Sequence, residues 1–90
     1  MKYTISILRR AQKEFAKLPA HIQSGVNDAI LSLAQNPRPA GCKKLHGRAG
    51  WRIRVGEYRV IYDIDDQAAT VSVNKIGSRG SVYHFIFPLF

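Results

Sequence analysis

Ninety residues, 46% of them hydrophobic and 10% aromatic, suit one folded domain spanning 1–90; the chain is too short for two cores and too apolar for disorder. Fourteen Lys and Arg against six Asp and Glu leave a formal charge of +8, which points to anionic partners: nucleic acid, an acidic protein or an anionic membrane surface. No apolar run is as long as a membrane span, M-K-Y-T-I-S-I-L-R-R is no signal peptide, and the single Cys42 excludes an internal disulfide and fits a reducing cytoplasm.

Lys2 to Leu8 alternates Tyr3, Ile5 and Ile7 with polar residues, the period of a strand. From about Arg9 the period becomes helical. Leu8, Ala11, Phe15 and Leu18 form the apolar stripe, and Arg9, Arg10, Lys13 and Lys17 lie outside it as a basic one. Pro19 ends this helix and can open the next, which runs to about Gln35 on Ile22, Val26, Ala29, Ile30 and Leu33. Asn36-Pro37-Arg38-Pro39 stops it. Helices joined this tightly form an antiparallel hairpin, and their stripes need a sheet to cover them. Ala40 to Gly50 reads as a glycine-rich cationic loop carrying Lys43, Lys44, His46 and Arg48.

Trp51 to Ile64, W-R-I-R-V-G-E-Y-R-V-I-Y-D-I, reads as two strands joined at Gly56-Glu57, since a Gly-X turn needs the positive φ that glycine supplies. That turn sets Val55 opposite Tyr58, Arg54 opposite Arg59, Ile53 opposite Val60, Arg52 opposite Ile61 and Trp51 opposite Tyr62. Opposed residues share a side of the sheet. Trp51, Ile53, Val55, Tyr58, Val60, Tyr62 and Ile64 therefore form a core face. Arg52, Arg54 and Arg59, with Ile61, form the other. Asp65-Asp66-Gln67 is turn chemistry, Ala69 to Ile76 another strand with Val71 and Val73 inward, and Ser78 to Ser81 a turn before the apolar tail at 82–90. Helices followed by hairpin-linked strands indicate an α+β fold with both helices on one sheet face, leaving the arginine face open. Like charges opposed across strands destabilise a sheet unless an anion sits between them, and planar guanidinium forks suit a phosphate.

These residues resemble the RelE/ParE superfamily of toxins from type II toxin–antitoxin pairs, from Tyr3 to about Tyr83. The resemblance rests on A-x-K-E-F-x-K-L at Ala11 to Leu18, K-L-x-G at Lys44 to Gly47, W-R-I-R-V-G-E-Y-R-V-I-Y from Trp51, and I-G-x-R-x-x-V-Y from Ile76 to Tyr83. It implies a small, mainly antiparallel sheet with an N-terminal strand and the helix hairpin on one face. It also implies a RelB-like antitoxin, in a toxin–antitoxin hetero-oligomer. RelE-like members cut messenger RNA in the ribosomal A site; ParE-like members poison DNA gyrase instead. The RelE-like pattern has two basic residues on the first hairpin strand, an arginine on the second, an arginine after the last strand and a tyrosine near the C-terminus. Arg52, Arg54, Arg59, Arg79 and Tyr83 fill those places, which favours the nuclease over the gyrase inhibitor or a toxin that only binds its antitoxin.

The cleavage such a match implies is attack by the neighbouring 2′-oxygen, with neither metal nor cofactor. Cys42 and the scattered His21, His46 and His84 likewise offer no zinc site. Arg52, Arg54 and Arg59 suit the stabilisation of a dianionic phosphorane, where one lost donor costs on the order of 10²–10³ in rate. The family often carries lysines at the places of Arg52 and Arg54, and arginine does not release its proton at accessible pH, so neither is a general base. Arg79 is a further clamp or the proton donor to the leaving oxygen. Tyr83 stacks on a splayed base or carries a proton. Lys43, Lys44, His46 and Arg48 are placed on messenger or ribosomal RNA.

Overall fold

The computed structural model describes residues 2–78; Arg79, Tyr83 and the apolar tail at 82–90 lie outside the described residues. Strand β1 (Thr4–Ile7) leads into helices α1 (Arg9–Ala16) and α2 (Ala20–Ser32), followed by β2 (Lys43–Lys44), β3 (Trp51–Val55), β4 (Tyr58–Asp65) and β5 (Thr70–Ser78). The sheet order is β1-β5-β4-β3-β2. β1 runs parallel to β5 and every other neighbouring pair is antiparallel. This is the expected α+β architecture.

Both helices lie against one side of the sheet. Ala11, Val26, Ile30 and Leu33 meet Ile53, Val60, Tyr62, Val71, Val73 and Ile76 in the core, with Phe15, Leu18, Ile22 and Ala29 packed around them. The stripes read from the sequence are those the helices bury, with one correction. Leu8 stands before the first helical turn in an extended conformation (φ −64°, ψ 153°), and its side chain is 47% exposed rather than part of the stripe. The second helix also stops earlier than Gln35: Leu33 caps it, and tighter turns carry the chain to Asn36.

The β3–β4 hairpin has the expected register at every pair, from Val55 opposite Tyr58 to Trp51 opposite Tyr62. Gly56 has φ +61° while Glu57 stays at negative φ, the Gly-X geometry whose twist matches the flanking strands. The loop expected at 40–50 is not wholly irregular: Lys43 and Lys44 pair with Arg52 and Trp51 and extend the sheet. Gly50 makes that possible. Its φ is +127°, and a Cβ there would meet Asp63 Oδ1 and Leu45 Cδ1 at 3.1 Å and the Tyr62 carbonyl at 3.3 Å.

β5 departs from simple alternation. Its pairing with β4 shifts between Ile61 and Tyr62, which face Lys75 and Val73, so Asn74 is an extra residue. This bulge restores Ile76 to the core side beside Val71 and Val73, and sends Lys75 to the opposite side with Ile61. Without it, Lys75 would point into the helices.

The segment between α2 and β2 is pinned to the end of the sheet remote from the Gly56 turn. The Tyr62 hydroxyl, fully buried, donates to the Pro37 carbonyl (2.7 Å), and burial pushes its pKa far above the ordinary tyrosine range. Arg38 grips Asp66 through two hydrogen bonds (2.9 and 3.3 Å) and lies over the Trp51 ring, 5.2 Å from its centroid. Tyr3 donates to the same carboxylate at 2.6 Å. The bonds from Arg38 and Tyr3 hold Asp66 below its usual carboxylate pKa.

Candidate nucleic-acid interface

The sheet face away from the helices carries the charge. Because opposed residues share a side, the pairings Lys43–Arg52, Arg52–Ile61 and Ile61–Lys75 make one row across β2, β3, β4 and β5. The pairings Arg54–Arg59 and Arg59–Gly77 make the next row toward the hairpin turn. Neighbouring strands lie about 4.8 Å apart, so Lys43, Arg52, Arg54 and Arg59 stand on a patch two rows deep, with Lys75 at its margin, its ammonium taken by Glu14 of α1. The three hairpin arginines, proposed from alternation alone, are thus together on one side.

Part of this patch is already paired, since Glu14 takes the Lys75 ammonium. Neither Arg52 nor Arg54 pairs with a carboxylate among the described residues. Asp66 is engaged by Arg38, and Glu14 by Lys75. Asp63 shares the arginine side and brings one negative charge to it, with its Oδ2 accepting from Asn74 Nδ2 at 2.6 Å. Ile61, in the middle of the upper row, is 1% exposed, so this position of the face is covered and closed to water. A less polarisable surround strengthens each interaction with an incoming anion.

The loop residues divide. Lys43 belongs to the arginine side, while Lys44, opposite Trp51, points the other way. His46 and Arg48 are exposed in the turn that follows β2. Lys75 was not foreseen. It follows from the bulge, and the broken alternation V-S-V-N-K-I, apolar at 71, 73 and 76, is the signal that marks it. Arg79 and Tyr83 fall outside the described residues.

The family model described as the ParE toxin of type II toxin–antitoxin systems matches residues 5–83. The chain belongs to the RelE/ParE toxin family. It is 32% identical over 85 residues to the toxin RelG of Mycobacterium tuberculosis, covering 92% of this chain and 98% of that one. The fold agrees with the M. tuberculosis toxin–antitoxin complex RelBE2 at a TM-score of 0.78 and 29% identity, over 88% of this chain and 100% of that one. It likewise agrees with the archaeal RelE–RelB complex of Pyrococcus horikoshii, at a TM-score of 0.79 and 27% identity, over 89% of this chain and 98% of that one. This RelE/ParE toxin therefore sits on the RelE-like side of the family by its relatives, while its family model carries the ParE description. Among its described residues no helix is long and apolar enough to cross a membrane.

Proposed function

We propose that this toxin is a ribosome-dependent endoribonuclease that cleaves messenger RNA in the A site and arrests translation in the cytoplasm. The observation that carries the reading is that Arg52, Arg54 and Arg59 come from adjacent strands to one face, the side of the sheet away from α1 and α2, with Lys43 beside them. A single phosphodiester is small enough to be reached by the three neighbouring hairpin arginines together. The 2′-oxygen of the preceding ribose attacks phosphorus, the bond to the 5′-oxygen breaks, and the products are a 2′,3′-cyclic phosphate and a free 5′-hydroxyl. One proton leaves the 2′-hydroxyl and one reaches the 5′-oxygen, so the step consumes no water. The guanidiniums neutralise charge that appears only as the phosphorane forms, which is why they act on rate rather than on binding alone. Since Arg52 and Arg54 keep their protons, proton transfer belongs to other groups; Arg79 and Tyr83 are assigned here as the remaining clamp or proton carrier. Lys44, His46 and Arg48 extend the contact to RNA away from the reacting linkage.

A RelB-like antitoxin is the proposed partner, because the similar structures are toxin–antitoxin complexes. A second reading, gyrase inhibition without nuclease activity, is favoured by the ParE description of the family model.

The deciding experiment induces the toxin and maps new 5′-hydroxyl ends on ribosome-bound messenger, for wild type, Arg59→Ala and Tyr83→Phe. Ends present with wild type and lost with the variants are expected. Intact messenger with accumulating DNA breaks would replace the nuclease by the gyrase inhibitor.

A further inference from the structure

We propose that Glu14 is a positioning residue for the arginine face: it grips the last part of β5, the strand against which Arg59 is set. This rests on the nuclease reading above.

The need for such a grip follows from the sheet's topology. β1 pairs with β5 only from Thr70 to Val73, and the Leu8 amide, donating to the Val73 carbonyl at 3.0 Å, is the last link. Beyond that point β5 continues to Ser78 with β4 on one side and, among the described residues, no strand on the other. An edge of this kind leaves backbone donors without strand partners, and such a donor is costly when it is shielded from water. The bulge at Asn74 also loosens the ladder just there.

Glu14 of α1 supplies what β1 no longer does. Its Oε1 accepts from the Ile76 backbone amide at 3.0 Å, on the side of β5 turned away from β4. Its Oε2 accepts from the Lys75 ammonium, and both side chains are largely shielded, 20% and 17% exposed. Lys75 comes from the arginine side, so one carboxylate joins the helix layer, the strand edge and a cation of the other face. The residues held are immediate neighbours of the site. Ile76 lies opposite Val60, and Gly77, the next residue, lies opposite Arg59. A strand end left to fray would move Arg59 relative to Arg54, and misplacements near 1 Å in a preorganised site cost as much as 10²-fold in rate.

The contacts separate by substitution. E14Q keeps an amide oxygen for the Ile76 N–H and loses the charge; K75M keeps the cap and loses the ammonium; E14A loses both. The measurement is single-turnover cleavage of ribosome-bound messenger per folded molecule, in wild-type and Arg59→Ala backgrounds, with amide exchange at Ile76 followed in the same proteins. Expected is a loss on the order of 10- to 100-fold for E14A, most of it recovered in E14Q, with faster exchange at Ile76 only in E14A. In the Arg59→Ala background the E14A loss largely disappears, because Glu14 acts through that arginine. If E14A lowers the melting temperature but leaves the rate per folded molecule unchanged, Glu14 is only an edge cap and the proposal is overturned. Full multiplication of the E14A and Arg59→Ala losses overturns it too. A wild type that makes no new ends on messenger refutes the nuclease reading itself, and the Ile76 exchange rates then still report whether the grip exists.

Discussion

Along β4 the two sides of the sheet alternate residue by residue. Val60 and Tyr62 turn to the helices and are fully buried; Arg59 and Ile61 turn away. The first side is apolar surface removed from water, which stabilises the fold without regard to direction. The second side gathers like charges at the spacing where they repel, a cost to the fold that a bound anion would offset. The same hairpin thus serves stability with one set of residues and, in the proposed reading, anion recognition with the other. The two can be separated by mutation.

Ile53 and Arg54 are neighbours in β3 on opposite sides, and they give the widest separation. Ile53→Ala removes a buried side chain and is expected to cost about 2–5 kcal/mol in urea denaturation, while the cleavage rate of the remaining folded protein stays near wild type. Arg54→Gln should do the reverse. Its cleavage rate falls on the order of 10²-fold or more, yet its denaturation midpoint at low salt equals or slightly exceeds wild type, because the repulsion with Arg59 is relieved. Adding salt should shrink that stability gain. A rate unchanged by Arg54→Gln would mean the charged side is not an active surface.

Tyr62 sharpens the comparison from the buried side. Its folded pKa is raised by burial, so the neutral form is what the fold favours. The stability this confers is complete below the unfolded tyrosine pKa and is lost as pH rises toward the folded value. Alkaline titration followed by phenolate absorbance should therefore show Tyr62 ionising only as the chain unfolds. Tyr62→Phe should cost about 1 kcal/mol at neutral pH, through the lost bond to Pro37, and remove that part of the alkaline sensitivity.

The smallest effect belongs to the β4–β5 turn. Ala69 has φ +51°, a left-handed conformation that disfavours a Cβ. Glycine there relieves the strain but loosens the unfolded chain, so Ala69→Gly is expected to stabilise by a few tenths of a kcal/mol, with activity unaltered.

What could be read in advance follows the range of the interactions. The hairpin register was legible because Gly56 and a period of two are local signals, and the helix stripes because the 3.6-residue period persists over several turns. The parallel pairing of β1 with β5 joins residues more than sixty positions apart and has no local mark. The Lys43–Lys44 strand is too short for any period, and it forms only because Gly50 lets the chain close onto β4. The bulge at Asn74 moved Lys75 to the charged side, and the grip of Glu14 on Ile76 exists only once α1 is docked. Of the candidate site, the three hairpin arginines were legible; Lys75 and Glu14 were not.

The lone indole of this chain sits beneath the Arg38 guanidinium at the head of β3, one residue before Arg52. That makes Trp51 a native fluorophore placed between the tether of the long connecting segment and the charged rows. Its emission should change if Arg38 loosens, and is expected to be sensitive to events at the neighbouring Arg52. The proposed binding of RNA, like that of a protein partner, should therefore be open to titration on the unlabelled toxin.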